Sequence, residues 1–476
     1  MLSWDQQVMM PKEGGKPRAQ QLSILSKLHH QLLTSREIAE SLDEIQKEEL
    51  DDEKRANIRE IERRHDKAKQ IPEKLIEEIS QKQSETFEKW QKAKQKDDFS
   101  IYQKDLEEMI ELKKEYAKEV ERGGEIYKVL FDDFEPYINL EKTNKVLKDL
   151  KNSLKPLIEQ IEKRDKQEIN LFEGNFPEKK QKELVDRIAE DIGYPREEKG
   201  RIDKSEHPFT AGNQFDCRIT LRYDENDLME SISSLIHESG HAFYQLGLPK
   251  EKYGEPAGTK RELSIHESQS RLWENHILKS RAFAKYLLPK LKEIFPEQFD
   301  GADVDDIYRS MNQVNTNNPI RVKADEITYQ LHIIIRFELE KQLISGEIQV
   351  KNLSEKWDEK MEKYFGFKPE NNTKGVLQDA QWAHGAIGYF PTYTLGNLIA
   401  AQLNQKMREE IPSLNESIAE GDFEPVLGWL RENIHKYGQT MKTEELIENA
   451  TGQRLTPKPF LDYIEDKYSE LYDLER

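Results

Sequence analysis

The sequence predicts a mostly α-helical protein built as one large body. Apolar residues recur every three or four positions through most of its 476 residues, which is the spacing of one helix face. Only one stretch, Asp216 to Tyr223, alternates apolar and polar residues as a β-strand does. No repeat, low-complexity linker or shift in composition marks a domain boundary. We therefore expect a single domain over 1–476. Its parts are a helical N-terminal part (1–200), the candidate site motifs (201–400) and a helical C-terminal part (401–476).

The N-terminal part is predicted to consist of helices. Leucines at helical spacing follow Arg18, and a second helical run extends from Ser35 to Ile45. Between Lys47 and Asp98 the chain is dense in Lys, Glu and Gln, but its few apolar residues keep three- and four-residue steps. This favours long charged helices over disorder, and we expect an antiparallel hairpin whose charged face is solvated rather than a coiled-coil partner site. Further helices are predicted over 102–117, 143–161 and 178–192.

The predicted strand leads into a helix that Asp227 or Asn226 can cap and that Gly247 and Pro249 end. We expect the strand to form the edge of a cleft, where an extended chain can pair with it.

More helices are predicted beyond this point. One passes through Glu267 to Ile277, and another runs from Ile320 to about Ile344. The stretch from Trp382 to Gly396 is rich in Gly and aromatic residues, which indicates a packed wall or a close approach of backbone to a ligand. The tail from Asn397 is predicted to be helical again.

Composition and charge exclude several classes of protein. The net charge of −19 argues against binding nucleic acid, which needs a basic face. No apolar run is long enough to span a membrane, and the N-terminus lacks a signal pattern. A lone cysteine, Cys217, rules out an intramolecular disulfide framework and fits a reducing compartment. We therefore expect a cytoplasmic protein without a membrane or nucleic-acid partner.

His237, Glu238 and His241 form the pattern H-E-x-x-H within a helix that has an apolar face. Residues four apart lie on one helix face, so both imidazoles point to one place, where they can bind zinc. Glu238 lies about 100° around the helix from His237. Its carboxylate can therefore act as general base on a metal-bound water. A solvated helix face is the alternative interpretation, but the apolar surroundings favour the metal site.

A catalytic zinc site needs a third protein ligand and leaves one position open. Glu267 is the best candidate, because its segment is predicted to be helical and Arg271, one turn later, can pair with it. His266 is a rival ligand, although it points elsewhere on a helix. Spacing alone also allows Glu267 to be an ordinary surface glutamate.

The chain resembles the thermostable carboxypeptidase family of zinc peptidases, family M32, in six ordered motifs and in its N-terminal Trp4-Asp5-Gln6. The motifs are His207-Pro208-Phe209, Asp216-x-Arg218-x-Thr220, His237-Glu238-x-x-His241, His266-Glu267-Ser268-Gln269, Ile320-Arg321-x-x-Ala324-Asp325 and Gly375-x-x-Gln378-Asp379-x-x-Trp382. The resemblance covers nearly the whole chain. It implies a helical, zincin-like protein with a deep active-site groove, which works as a homodimer and removes single residues from peptide C-termini.

By this resemblance His237, His241 and Glu267 hold zinc, which cobalt can replace, and Glu238 is the base. The substrate is a peptide with a free C-terminal carboxylate, which Arg321 grips with two charge-assisted hydrogen bonds.

Other substrate-binding candidates are less specific. Arg218 is a second candidate for the carboxylate, a tyrosine between Tyr389 and Tyr393 is expected to help, and His207 belongs to the first motif. The alternative for Arg321 is an ion pair with Asp325 one turn later.

Two departures from the family pattern stand out. Gln381 occupies the position of a family histidine, so the role of that histidine is not carried over. The family also tends to have a further helix before Trp4, and we expect a looser cover over the groove here.

Three other functions remain open at this point. One is a metallo-oligopeptidase or endopeptidase with the same site, and another is a catalytically impaired helical scaffold. The third, an aminopeptidase, would need an acidic receptor for the substrate amine, which no carboxylate cluster identifies.

Overall fold

The computed structural model describes residues 1–121, 123–164 and 170–474, and helices dominate these residues as the sequence predicts. The N-terminal helices are α1 (Leu2–Val8), α2 (Gly15–Leu33), α3 (Arg36–Ile45), α4 (Asp52–Gln70), α5 (Glu73–Lys96), α6 (Ser100–Val120), α7 (Ile126–Asp132), α8 (Leu140–Glu162) and α9 (Glu178–Asp191). Ser35 caps α3 by accepting from the backbone N–H of Ile38, because a hydroxyl at this position satisfies an otherwise unpaired donor.

The densely charged stretch forms two long helices, α4 and α5. The hairpin is made by α5 and α6, which are joined through Asp97 in the left-handed region at φ 51°. Its second arm is therefore α6, outside the 47–98 stretch where we expected both arms. α4 packs instead on the 3-10 turn Pro256–Gly258, where Asn57 Oδ1 accepts from the Ala257 backbone N–H at 2.7 Å.

A small three-stranded sheet precedes the H-E-x-x-H helix. Its strands are β1 (Gly200–Lys204), β2 (Thr210–Gly212) and β3 (Cys217–Leu221), in the order β1-β3-β2. β1 runs parallel to β3, with Gly200 opposite Cys217, and β2 runs antiparallel to it, with Thr210 opposite Ile219. The predicted strand β3 is thus central, and the expected pairing of an extended chain with it is wrong, because β1 and β2 occupy both of its sides.

The remaining helices follow the sheet. They are α10 (Leu228–Gly247), α11 (Leu263–Arg271), α12 (Arg281–Ile294), α13 (Pro296–Phe299), α14 (Val304–Met311), α15 (Thr328–Ser345), α16 (Leu353–Phe365), α17 (Pro391–Glu410), α18 (Leu414–Glu420), α19 (Glu424–Asn433), α20 (Thr443–Thr451) and α21 (Lys458–Tyr472). A π-helical segment, Leu272–Leu278, continues α11. None of the helices in the described part of the chain combines the length and apolarity that crossing a bilayer requires.

Two helix starts differ from the prediction. The chain forms only a 3-10 turn at Arg321–Lys323 before α15 begins at Thr328. Asp325 accepts from the Thr328 backbone N–H at 3.0 Å and from its hydroxyl at 2.6 Å, so this carboxylate starts a new helix. α17 begins at Pro391 rather than Asn397, because proline fits the first helical position.

The helices that carry the site motifs approach closely at two glycines. A Cβ atom on Gly240 of α10 would lie 2.7 Å from the Gln269 carbonyl oxygen of α11, and one on Gly396 of α17 would lie 2.7 Å from Glu267 Cγ. α11 therefore packs tightly between α10 and α17. The absence of side chains at both glycines brings Glu267 against the H-E-x-x-H face.

Candidate metal centre

Three side chains from α10 and α11 converge. The ligand atoms of His237, His241 and Glu267 all lie within 4.8 Å of one another. Glu267 Oε2 lies 3.9 Å from His237 Nε2 and 3.5 Å from His241 Nε2. Glu267 is buried, so its alternative interpretation as a surface residue is wrong.

The other ring nitrogens of the two histidines have separate partners. His237 Nδ1 lies 2.7 Å from Glu274 Oε2, and His241 Nδ1 lies 3.0 Å from the His266 carbonyl oxygen. If each Nδ1 donates its proton, each Nε2 keeps a lone pair on the side of Glu267, where it can bind a metal ion. Partners of this kind fix the tautomer and orientation of metal-binding histidines. His266 itself packs its ring beside His241, with 4.4 Å between ring centroids, and is not part of the converging group.

Arg271 pairs with two carboxylates beside the ligand atoms. Its Nε donates to Glu267 Oε1 at 2.7 Å, and its Nη1 donates to Glu274 Oε2 at 3.1 Å. Burial opposes ionisation of both carboxyls, but the Arg271 guanidinium and the neighbouring imidazoles outweigh it and hold each pKa well below its usual range. Both glutamates are therefore ionised at neutral pH, which suits binding of a cation.

Glu238 is buried next to this group, and a residue of the small sheet forms a hydrogen bond with it. The Thr210 hydroxyl on β2 lies 2.5 Å from Glu238 Oε2 and 3.0 Å from the Glu238 backbone oxygen. The hydrogen bond to the carboxylate fixes one of its oxygens. β2 thus connects to the site through Thr210.

Arg321 is buried in a polar and aromatic pocket. Its Nε and Nη2 donate to Asp379 Oδ1 at 3.0 and 2.8 Å, and its Nη1 donates to the Tyr329 hydroxyl at 3.1 Å. Its ion-pair partner is therefore Asp379. The alternative pair with Asp325 is not formed, because the Asp325 carboxylate accepts from the start of α15. Tyr329 also lies under Arg271, 4.6 Å from guanidinium carbon to ring centroid. One aromatic ring therefore separates Arg321 from the arginine that holds Glu267.

The two candidate tyrosines lie next to each other, with ring centroids 5.3 Å apart. Tyr393 lies closer to Arg321, whose guanidinium carbon is 5.0 Å from the ring centroid. Gln381, which replaces the family histidine, donates from Nε2 to the Tyr393 hydroxyl at 3.2 Å. The amide therefore occupies this position as a neutral hydrogen-bond donor.

The other two substrate-binding candidates, Arg218 and His207, lie in other surroundings. Arg218 forms a two-pronged ion pair with Asp216, at 2.9 and 2.8 Å, and its guanidinium carbon lies 4.3 Å from the Trp4 ring centroid. His207 is exposed in the turn between β1 and β2. These contacts assign neither residue to the group around Glu267.

Sequence reasoning missed Glu274 and Thr210. Glu274 had a signal, because Glu267, Arg271 and Glu274 follow the i, i+4, i+7 spacing of one helix face. Thr210 had none beyond its place next to Phe209 in the first motif.

The donor set fits a divalent metal ion. Two imidazole nitrogens and one carboxylate oxygen are the ligands that catalytic zinc sites use, and a fourth position stays open for water or substrate. The partners on Nδ1 and the ion pairs of Arg271 support the same assignment.

Comparisons with known proteins agree over the whole chain. The family model described as Carboxypeptidase Taq (M32) metallopeptidase matches residues 1–468. Thermostable carboxypeptidase 1 of Thermus thermophilus is 37% identical over 99% of this chain and 95% of the relative. Carboxypeptidase 1 of Bacillus subtilis is 35% identical over the same shares. The solved structure of Pyrococcus furiosus carboxypeptidase superposes with a TM-score of 0.95 at 36% identity, over 98% of this chain and 94% of that one.

Proposed function

Because this chain belongs to the M32 family of metallocarboxypeptidases, which confirms the resemblance seen in its motifs, we propose that it releases single amino acids from peptide C-termini at a zinc site. The observation that carries this proposal is the convergence of His237, His241 and Glu267 beside the buried carboxylate of Glu238.

We propose that His237, His241 and Glu267 hold the metal ion. A divalent cation in such a site supplies Lewis-acid chemistry, which acidifies water and polarises a carbonyl group. Zinc fits the mixed nitrogen and oxygen ligand set, and cobalt, which accepts the same donors, is expected to substitute for it.

Glu238 moves the proton in the proposed reaction. Its carboxylate takes a proton from the attacking water and returns it to the leaving amine, the role of a general acid–base group. Thr210 holds one oxygen of this carboxylate, so the other remains available for the proton.

Arg321 is the proposed receptor for the substrate carboxylate. The three hydrogen bonds to Asp379 and Tyr329 use three of its five N–H groups, which leaves one on Nη1 and one on Nη2. A guanidinium with free N–H groups on both terminal nitrogens can bind the two oxygens of a carboxylate. Tyr393 and, beside it, Tyr389 form the aromatic side of this pocket in the proposal. Arg218 and His207 remain weaker candidates.

The test compares N-blocked dipeptides that carry a free or an amidated C-terminus. We expect hydrolysis of the free acid alone and loss of turnover after chelation. Glu238→Gln should lower kcat by about 10²–10⁴-fold while metal analysis still finds a full metal content. Equal cleavage of the amidated substrate would assign an endopeptidase, and an active Glu238→Gln variant would refute the proton-transfer role.

We also propose a cytoplasmic homodimer. The support is the family resemblance together with a single, buried cysteine, Cys217. Light scattering after gel filtration tests the dimer, since a mass of one 56.1 kDa chain across micromolar concentrations would contradict it.

A further inference from the structure

A cavity of about 830 Å³ lies beside the π-helical segment that follows α11. Residues of this segment, α12, α14, α17, α18 and α21 line it. The same segment supplies Glu274 to His237 and His276 to the cavity. π-Helical turns inside helices are frequent at functional sites. The cavity is therefore one short segment away from the candidate metal centre.

Arg408 of α17 is the central cation of this cavity. Its guanidinium donates to Asn404 Oδ1 at 2.9 Å, to Asn415 Oδ1 at 2.6 Å and to the His276 carbonyl oxygen at 3.2 Å. These acceptors are all neutral, so its hydrogen bonds leave its charge uncompensated. Guanidinium groups held in this way are suited to binding oxyanions.

Further cations lie on the buried side of the cavity. Lys279 is half-buried, and Lys467 is only 6% exposed, with Glu326 Oε2 2.8 Å from its Nζ. The carboxylates that line the cavity, Glu416, Asp466 and Glu470, are exposed. Arg281 and Lys285, which also line the cavity, are exposed as well, and Arg281 pairs with Glu470. Arg408, Lys279 and Lys467 are thus less exposed than the carboxylates of the lining.

His276 adds an unpartnered polar group. It is 3% exposed, and its Nδ1 has no hydrogen-bond partner among the described residues. Its ring packs on Tyr463, with 4.3 Å between ring centroids. Burial and the charges of Lys467 and Arg408 hold the pKa of His276 well below its usual range. The neutral imidazole therefore adds no positive charge of its own beside Lys467 and Arg408, and its buried Nδ1 is not accessible from the cavity.

We propose that this cavity binds a compact oxyanion, a phosphate or carboxylate group of a small molecule, through Arg408 and Lys279. Binding is coupled to the metal centre, because Arg408 holds the His276 carbonyl oxygen two residues after Glu274, which orients His237. An anion bound to Arg408 therefore changes the hydrogen bond between Arg408 and the His276 carbonyl oxygen of this segment. Anion binding is measured without a peptide substrate, so it can be absent while carboxypeptidase activity is present, and the reverse.

The test is calorimetric titration of the metal-loaded protein with inorganic phosphate, pyrophosphate and citrate at constant ionic strength. We expect saturable binding of at least one anion, and the order of affinities distinguishes phosphate from carboxylate ligands. Arg408→Gln and Lys279→Gln should each weaken it by about tenfold or more, as loss of a charged partner does. Arg431→Gln is the matched control, because Arg431 forms a surface ion pair with Glu424. An anion that binds directly to the metal should bind to all three variants equally. This result distinguishes it from an anion that binds in the cavity.

Coupling has its own readout in the cobalt-substituted protein. We expect the visible spectrum of the cobalt to shift when the anion binds to wild type and not to Arg408→Gln. Absence of saturable binding to wild type, or equal binding by wild type and both cavity variants, overturns the site. Binding that leaves the cobalt spectrum unchanged overturns the coupling.

Discussion

Thr210 holds the proposed base with a single hydroxyl group that has one proton to donate. The carboxylate oxygen of Glu238 lies closer to it, at 2.5 Å, than the Glu238 backbone oxygen, at 3.0 Å. The proton therefore goes to the side-chain oxygen, which is the closer of the two acceptors. This contact defines Thr210 as a positioning residue for Glu238.

Replacing Thr210 by Val removes this hydroxyl and keeps the side-chain shape. We expect kcat to fall about tenfold, because a hydrogen bond to a charged group is lost, while KM and metal content stay the same. Thr210→Ser should restore kcat. An unchanged kcat in Thr210→Val would show that the hydroxyl does not position Glu238.

Spacing along the chain decides which of these residues can be found from sequence. His237, Glu238 and His241 lie within five positions, so helix geometry alone brings them together. Thr210 reaches Glu238 only through the pairing of β2 with β3, and a three-residue strand carries too little pattern to predict this. Arg321 was found as a candidate, but its partner Asp379 lies 58 positions away.

The contact between α10 and α11 sets the geometry of the ligands at the scale of elements. A methyl group on Gly240 would meet the Gln269 carbonyl oxygen and the Ser270 Cα atom, each at 2.7 Å. Both atoms belong to the backbone of α11, which cannot move aside as a flexible side chain would. The spacing of the two helices therefore depends on the glycine inside the motif.

Gly240→Ala should push α11 away and carry Glu267 out of reach of the histidines. We expect metal affinity to fall at least tenfold and the free energy of unfolding to drop by about 1–3 kcal/mol, as overpacking does. Competition with a chromophoric chelator and urea denaturation measure these two quantities. The control is Gly428→Ala on α19, where the nearest atom is Glu424 Oε1 at 3.9 Å. That variant should keep its metal affinity and gain about 0.5–1 kcal/mol. Equal metal affinity in both variants would contradict the role of Gly240.

Glu340 of α15 anchors the glycine- and aromatic-rich segment before α17. Its carboxyl accepts from Trp382 Nε1 at 2.8 Å, the Tyr127 hydroxyl at 2.8 Å and the Gly388 backbone N–H at 3.1 Å. Burial raises the pKa of Glu340 to about 7, although these donors oppose the shift. The folded protein therefore keeps a proton on Glu340 between about pH 4.5 and 7, where the unfolded chain has lost it.

This proton makes stability depend on pH in a definite direction. Because the folded state binds more protons at Glu340 in this window, the contribution of Glu340 to the free energy of unfolding should decrease as pH rises from about 4.5 to 7 and then level off. In Glu340→Gln this contribution is absent. The difference between wild type and variant should therefore change by about 3 kcal/mol across the window, whatever constant cost the substitution has. Urea denaturation at several pH values measures it, with Glu465→Gln on the exposed side of α21 as control. A pH-independent difference would refute the raised pKa.

The elements themselves were mostly predictable, and the failures have local causes. The spacing of apolar residues predicted α6, α8 and α9, because one apolar stripe on each faces the core. The predicted long helix through Arg321 failed because Asp325 offers the backbone a cap that competes with continuation of the helix. The prediction of the hairpin partner of α5 failed because charge density does not show which neighbouring helix carries the complementary face.

Contacts between distant parts of the chain connect the whole molecule. Arg261, whose side chain is fully buried, donates to Glu60 of α4 at 3.1 Å and to the carbonyl oxygens of Gln439 at 3.2 Å and Met441 at 3.0 Å. One guanidinium thus joins the parts 1–200, 201–400 and 401–476. Sequence reasoning could not predict these pairs, because residues so far apart leave no periodic signal. We propose on this basis that the chain is a single domain.

A single domain should unfold in one cooperative transition, and removal of the metal should lower its midpoint without splitting it. The proposed ligands lie on α10 and α11 in the shared core, so a bound ion stabilises the whole fold rather than one part. With free metal at a thousand times its Kd, we expect a gain of about 4 kcal/mol in the free energy of unfolding. Circular dichroism and tryptophan fluorescence, recorded with zinc and with chelator, should give coincident transitions in each condition. Two separate transitions would contradict the single domain, and a midpoint insensitive to chelator would contradict metal binding in the core.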